Sequence, residues 1–264
     1  MYTTIFTTAL LSSIALAAPA PQAPTQSTPQ STRPNDATIA STMSAPRPAF
    51  PGPANPLSLT AQLTLADSAI DRFLLLPNNK DFVFSFDDAT KKGKGGKGGD
   101  LIAANRKTFP ALVSTGAGMA VGFLGPCGFN TPHVHPRSVE LQIVTQGRLV
   151  TEMVPENGVL QDGKRRVIRN TLEKNQMTPF YQGSVHAQFN PDCEEATFVA
   201  AFNNEDFGAG QVPDELFAMS DEVVAAAFGQ AVAGEDVERF RKAIPVSIAK
   251  GVEECLAKCG IKRR

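Results

Sequence analysis

Between Asp100 and Phe202 the chain is a succession of short β-prone runs, each closed by Gly, Pro, Asn or Asp. The candidate strands are Leu101–Ala104, Met119–Leu124, His133–Glu140, Leu141–Thr145, Arg148–Met153, Arg166–Leu172, Met177–Phe180, Val185–Asn190 and Thr197–Phe202. Runs of this kind, recurring at intervals of about 8 to 12 residues, point to a mainly β sandwich or small barrel. Trp is absent, Tyr occurs twice and Phe 17 times, so Phe must supply most of the aromatic core. Upstream, one short helix is expected near Ala66–Leu75, stopped by Pro77, and the alternation of Phe82, Phe84 and Phe86 predicts a strand over Asp81–Phe86. Beyond Pro213 the pattern becomes helical over Asp214–Ala218, Asp221–Phe228, Asp236–Ala243 and Ser247–Cys259, with Gly260 placed as a final C-cap.

The N-terminal residues read differently. Ile5 to Ala18 is apolar and small, and Ala15-Leu16-Ala17 fits a signal-peptidase site, so residues 1–17 are expected to be a signal peptide and the mature chain to be secreted. Residues 18–57 form a Pro/Ser/Thr-rich linker holding ten of the 20 prolines. Such a segment buries too little apolar surface to offset its ordering entropy and is expected to be disordered and extended. It is an inert tether or a carrier of O-linked sugar; no N-linked acceptor sequence occurs. The expected organisation is therefore a β-barrel domain with an N-terminal helix over 58–212 and a C-terminal helical extension over 213–264. The run from Lys91 to Gly99 has the look of a phosphate loop but lacks its Gly-Lys-Ser/Thr ending, and reads as a mobile basic loop. With 25 basic against 26 acidic residues the formal charge is -1, which argues against a nucleic-acid binder held by phosphate contacts. No apolar run reaches the roughly 18 to 20 residues of a membrane span, so no membrane contact is expected after signal removal.

Four cysteines in a secreted chain imply two disulfides, for which three connectivities exist. Cys127 and Cys193 lie in loops; Cys255 and Cys259 lie four apart on an expected helix. Either loop pairs with loop and helix with helix, or the loops are cross-linked to the tail, and the sequence leaves these alternatives open.

Histidine is the rarest informative residue. Its three copies, His133, His135 and His186, all fall in the β-rich region. His133 and His135 are i and i+2, which on a strand places both imidazoles on one face as a metal platform. Glu140 follows at an odd spacing, but a bend at Pro136 can reset the parity and return it to the same interior. His186 arrives after Gly183. Asn190, four residues on, is expected to brace a turn rather than bind metal. Three imidazoles and one carboxylate make a borderline N/O donor set that suits Mn or Fe, with positions left for an anion or dioxygen.

The segment Gly128-Phe129-Asn130-Thr131-Pro132-His133-Val134-His135-Pro136-Arg137-Ser138-Val139-Glu140, followed by Gly147, resembles the first cupin motif, and Gly183-Ser184-Val185-His186-Ala187-Gln188-Phe189-Asn190 resembles the second. The flanks Lys107–Leu112, Glu140–Val144 and Val199–Asn203 are similar to those of germins, germin-like proteins and spherulins. The resemblance covers about Leu101 to Phe217. It implies a cupin jelly-roll β-barrel, a Mn ion (alternatively Fe) held by His133, His135, Glu140 and His186, and a homo-oligomer. It further implies a secreted redox enzyme acting on superoxide or oxalate, with Asn130 as a contact to the bound anion and Phe129 and Phe189 drying the pocket. Ala120 stands where oxalate-oxidising germins carry a second asparagine. The alternative implied by the spherulin likeness is a non-catalytic protein of the wall, of encystment or of storage, whose metal stabilises the barrel. A small-molecule receptor of the auxin-binding kind shares the same barrel.

Overall fold

The structure is a computed structural model that describes residues 57–87, 98–232, 234–245 and 247–262. The expected signal peptide, almost all of the linker, and most of the Lys/Gly run lie outside the described residues.

Two short helices open the described chain where one was expected: α1 over Leu59–Leu65 and α2 over Ala69–Leu74. Ser58 and Ser68 each accept a backbone N–H three residues on, from Ala61 and Asp71, so each helix has its own N-cap. Ala66 between them is extended, because Asp67 and Ser68 favour a new start over a continued turn. Leu63 of α1 buries against Leu76 and Val113. The strand expected over Asp81–Phe86 does not form. Asp81 accepts the Asn78 N–H at 2.8 Å and winds Asn79–Phe82 into a 3-10 turn. The alternating phenylalanines serve ring contacts instead, Phe84 lying 4.9 Å from Phe86 and 5.4 Å from Phe109 between centroids.

The core is two antiparallel sheets packed face to face. The first holds β1 (Gly99–Ala104), β2 (Gly118–Leu124), β4 (Glu140–Gln146), β9 (Met177–Phe180) and β11 (Ala196–Phe202), in the order β1-β2-β11-β4-β9. The second holds β3 (Gly128–Val134), β5 (Leu149–Val154), β8 (Ile168–Leu172), β10 (Val185–Phe189) and β12 (Gly210–Gln211), in the order β12-β3-β10-β5-β8. A small hairpin, β6 (Leu160–Gln161) with β7 (Lys164–Arg165), stands apart. Inward and outward residues alternate along β4, β5 and β11, as the period of two requires. Leu124, Val144, Leu149, Leu172, Ala196 and Phe198 fill one end of the interior. Burying a side chain the size of Phe198 contributes roughly 1.5–3 kcal/mol. Gly122 permits that packing, since a Cβ there would sit 2.2 Å from the Phe198 ring.

The C-terminal region carries α3 (Val212–Phe217), α4 (Asp221–Ala227), α5 (Gly234–Ala243), β13 (Ile248–Lys250) and α6 (Glu253–Lys258). Arg241 ties the first three helices together, bonding Phe217 O at 2.7 Å, Asp221 at 2.9 Å and Glu238 at 2.9 Å. The single helix expected over Ser247–Cys259 is corrected. Ile248–Lys250 pairs with β3 as a strand, Ile248 is buried, and only the residues after Gly251 are helical. A free sheet edge and a buried Ile outweighed the local helical spacing. The disulfides are Cys127–Cys255 and Cys193–Cys259, so the loops are cross-linked to the tail.

Candidate metal centre

His133 sits near the end of β3, and its register partner on β10 is His186. The strand expected over His133–Glu140 is broken: β3 ends at Val134, His135 enters a bend, and Glu140 opens β4 in the opposite sheet. Asn203 holds that bend, its Oδ1 accepting from Ser138 Oγ at 2.8 Å and from Val139 N at 3.0 Å. The odd spacing from His135 to Glu140 is thus absorbed by a crossing between sheets. A second irregularity lies upstream. His133 pairs with His186, and Asn130 with Gln188, so β3 carries one extra residue at Thr131–Pro132. This bulge turns Asn130 inward and Phe129 outward.

The four side chains expected to bind metal are all brought together. They are buried, and one donor atom from each lies within 4.8 Å of the others. His135 Nε2 is 2.8 Å and His186 Nε2 3.2 Å from Glu140 Oε2. Each imidazole is anchored by its other nitrogen: His133 Nδ1 on Thr131 O at 2.8 Å, His135 Nδ1 on Gly208 O at 2.6 Å and His186 Nδ1 on Ser184 O at 2.9 Å. A carbonyl only accepts, so each Nδ1 carries a proton and each Nε2 faces the interior. Gly208 has φ +69°, and this left-handed turn aims its carbonyl at His135.

Burial drives the His133 ring well below its ordinary value, from 6.5 to about 3, aided by the charge of His186 and opposed by Glu140 and the Thr131 bond. For Glu140 burial acts upward, but hydrogen bonds from His135 and His186 and the histidine charges outweigh it and hold the carboxyl at about 2. Because each Nδ1–H is committed to a carbonyl, an Nε2 can donate to Glu140 only by taking a second proton, and without it lone pair meets lone pair at hydrogen-bond distance. A cation among the four donors removes that conflict, so the residues present fit a bound metal ion. Cys127, Cys255 and Cys259 also cluster, but their sulfurs are engaged in disulfides.

The aromatic lining differs from expectation. Phe180 stacks on His186 at 4.3 Å, and Phe202 and Phe207 pack edge-on against His135 at 4.7 and 5.8 Å. Phe129 and Phe189, expected to dry the pocket, lie on the outer face of the second sheet and line an open groove with Pro132, Val150 and Ala187. Asn130 is buried and donates through Nδ2 to Gln188 Oε1 at 2.8 Å. Asn190 braces its turn as expected, donating to Leu124 O, Gly125 O and Glu194 O and accepting from Asp192 N. Sequence reasoning missed Gln142 and Thr151, and gave Gln188 no role of its own; all three are buried on inward-facing positions beside the donors. Their even spacing from Glu140, Met153 and His186 was the available signal.

An antiparallel jelly roll with a buried three-histidine, one-carboxylate cluster defines the cupin class, and residues 88–236 match the cupin family. The chain belongs to that family. Within it, the chain is 36% identical over 211 residues to Spherulin-1A of Physarum polycephalum, covering 80% of this chain and 82% of that protein. It is 34% identical over 144 residues to Germin-like protein 12-2 of Oryza sativa subsp. japonica, covering 53% and 61%. Among solved structures, a recombinant oxalate oxidase in complex with glycolate aligns with a TM-score of 0.52 at 23% identity, covering 63% of this chain and 84% of that one. Procruciferin, an 11S globulin from Brassica napus, aligns at 0.54 and 16% identity, covering 61% and 40%. Both structural likenesses concern the fold alone.

Proposed function

We propose that the chain is a secreted cupin in which His133, His135, Glu140 and His186 hold one manganese ion, and that it acts outside the cell as an oxidoreductase on a small anion. The observation that carries this reading is the approach of two Nε2 atoms, whose rings already give their Nδ1–H to carbonyls, to one carboxylate oxygen, at 2.8 and 3.2 Å. Three neutral imidazoles and one carboxylate leave a divalent ion with a net charge of about +1 and open coordination positions, which suits Mn, with Fe as the alternative. Bound manganese supplies one-electron redox chemistry and positive charge. The chain's own residues do the rest. Thr131, Ser184 and Gly208 fix the tautomers, Phe180, Phe202 and Phe207 exclude water, and Asn130 orients Gln188. Superoxide dismutation and the oxidation of oxalate to carbon dioxide and hydrogen peroxide are the reactions considered. The glycolate in the structurally similar oxalate oxidase supports a small anionic ligand. Two disulfides and the apolar N-terminal residues support an extracellular or cell-wall location. Exposed apolar side chains on α1 and α2, among them Leu65, Ile70, Phe73 and Leu74, support a homo-oligomer.

A second reading is favoured by the likeness to Spherulin-1A and by Ala120: a non-catalytic structural, encystment or storage protein in which the metal stabilises the fold. Elemental analysis with EPR on the dialysed protein, a stopped-flow superoxide assay and an oxalate-dependent peroxide assay separate the two. One manganese per chain with turnover in either assay is the expected result. Metal without turnover, and a lower melting temperature on chelation, would support the structural role. His135→Ala should abolish metal loading, and a full metal complement in that variant would refute the ligand assignment.

A further inference from the structure

Next to the donor layer lies a second polar layer. Gln142 follows Glu140 by two residues on β4, and Gln188 follows His186 by two on β10, so both face the interior that the donors face. Both are fully buried, at 0% exposure. Among the described residues neither amide atom of Gln142 has a hydrogen-bond partner, and Gln188 Nε2 has none. Rotation of the Gln188 amide offers no relief, because Asn130 already occupies its Oε1. The row across the first sheet from Gln142 runs through Ala200 to Ala120, both small side chains, next to the apolar plug of Val144, Phe198 and Leu124. Buried amides in folded proteins are paired, with protein, water or ligand.

We propose that Gln142 is the specificity-determining residue of this site, its amide and Gln188 Nε2 together holding a singly charged 2-hydroxy acid of small size at the metal. The proposal rests on the metal-binding reading above and names the ligand class it takes. The three unpartnered atoms ask for two acceptors and one donor, whichever way the Gln142 amide is turned. A 2-hydroxy carboxylate offers two carboxylate oxygens and one hydroxyl proton. A dicarboxylate dianion offers no donor.

The test uses the manganese-loaded full chain and the variants Gln142→Met, of similar volume without the amide, and Gln142→Glu, of the same shape with no donor and an added charge. Glycolate, acetate and oxalate are titrated at pH 7 and followed by the Mn(II) EPR spectrum. In the unmodified protein glycolate should bind roughly tenfold or more tightly than acetate, and more tightly than oxalate. Both variants should lose the glycolate preference while keeping full manganese by elemental analysis. If Gln142→Met does not fold, Gln142→Glu alone decides. Equal glycolate affinity at full manganese in variant and parent, or tighter binding of oxalate than glycolate by the parent, would overturn the assignment of Gln142 and leave the metal reading intact. A parent protein that retains no manganese would overturn both.

Discussion

Three backbone carbonyls, those of Thr131, Ser184 and Gly208, decide how the imidazoles present themselves, and burial holds the His133 ring well below its ordinary value. The consequence for stability is a pH dependence of definite sign. His133 titrates near 6.5 when unfolded and at about 3 when folded, so between those values the unfolded chain takes up a proton that the folded chain refuses. Glu140, held at about 2 against 4.5, contributes stability that is complete above 4.5 and lost as pH falls towards 2. Both act in one direction. The melting temperature of chelator-treated protein should therefore fall steadily from pH 7 to pH 4, and His133→Asn should flatten the curve over that window. A melting temperature that rises on acidification would contradict the buried neutral ring. At this scale the clustering of His133, His135, Glu140 and His186 was legible, because residue type and spacing carried it. The lining was not. Strict alternation puts Phe129 on the face of His133 and Asn130 on the other; the extra residue at Thr131–Pro132 reverses both. Gln142 escaped notice because a glutamine in a strand reads as a solvent-facing residue.

Elements place the carboxylate. Glu140 belongs to a different sheet from the histidines of β3 and β10, and the bend over His135–Val139 sets the distance between them. Asn203, just beyond β11, supplies the acceptor for two groups of that bend. Asn203→Ala should leave both donors without a partner, cost about 1–3 kcal/mol in denaturant unfolding, and weaken metal binding by roughly ten- to a hundredfold. A variant with unchanged metal affinity would mean that the bend is held by its flanking strands alone. Most strands were readable, since alternation is visible in β5 and β11 without knowledge of partners. The errors have a common cause. Asp81–Phe86 alternates yet its start is wound into a 3-10 turn and its rings pack on one another and on Phe109, whereas Ile248–Lys250 reads as helix yet meets the open edge of β3. Partner availability is a tertiary property, and local pattern does not encode it.

Across the β-barrel domain, the candidate metal cluster and the disulfides mark opposite ends of the interior. From His186 to Asn190 along β10 is about 13 Å at 3.3 Å per residue. Asn190 fastens the turn near Cys127, and Cys127 and Cys193 bind α6 to that end. Between them lie the amide layer and the apolar plug of Leu124, Val144 and Phe198. The presence of two bridges followed from the cysteine count, but their pairing depended on α6 folding back over the loops, which no spacing reveals. Two ends without shared partners should act independently. Replacing Cys127 and Cys255 together by Ser removes a cross-link spanning 128 residues and should lower stability by about 2–5 kcal/mol. Metal content should be unchanged in that variant. Chelation should lower the stability of parent and variant by the same amount, within about 0.5 kcal/mol. Denaturant unfolding of both proteins, with and without chelator, measures the four values. A larger loss on chelation in the variant would show that the tail reaches the metal through the packed interior, and the two ends would then have to be treated as one cooperative unit.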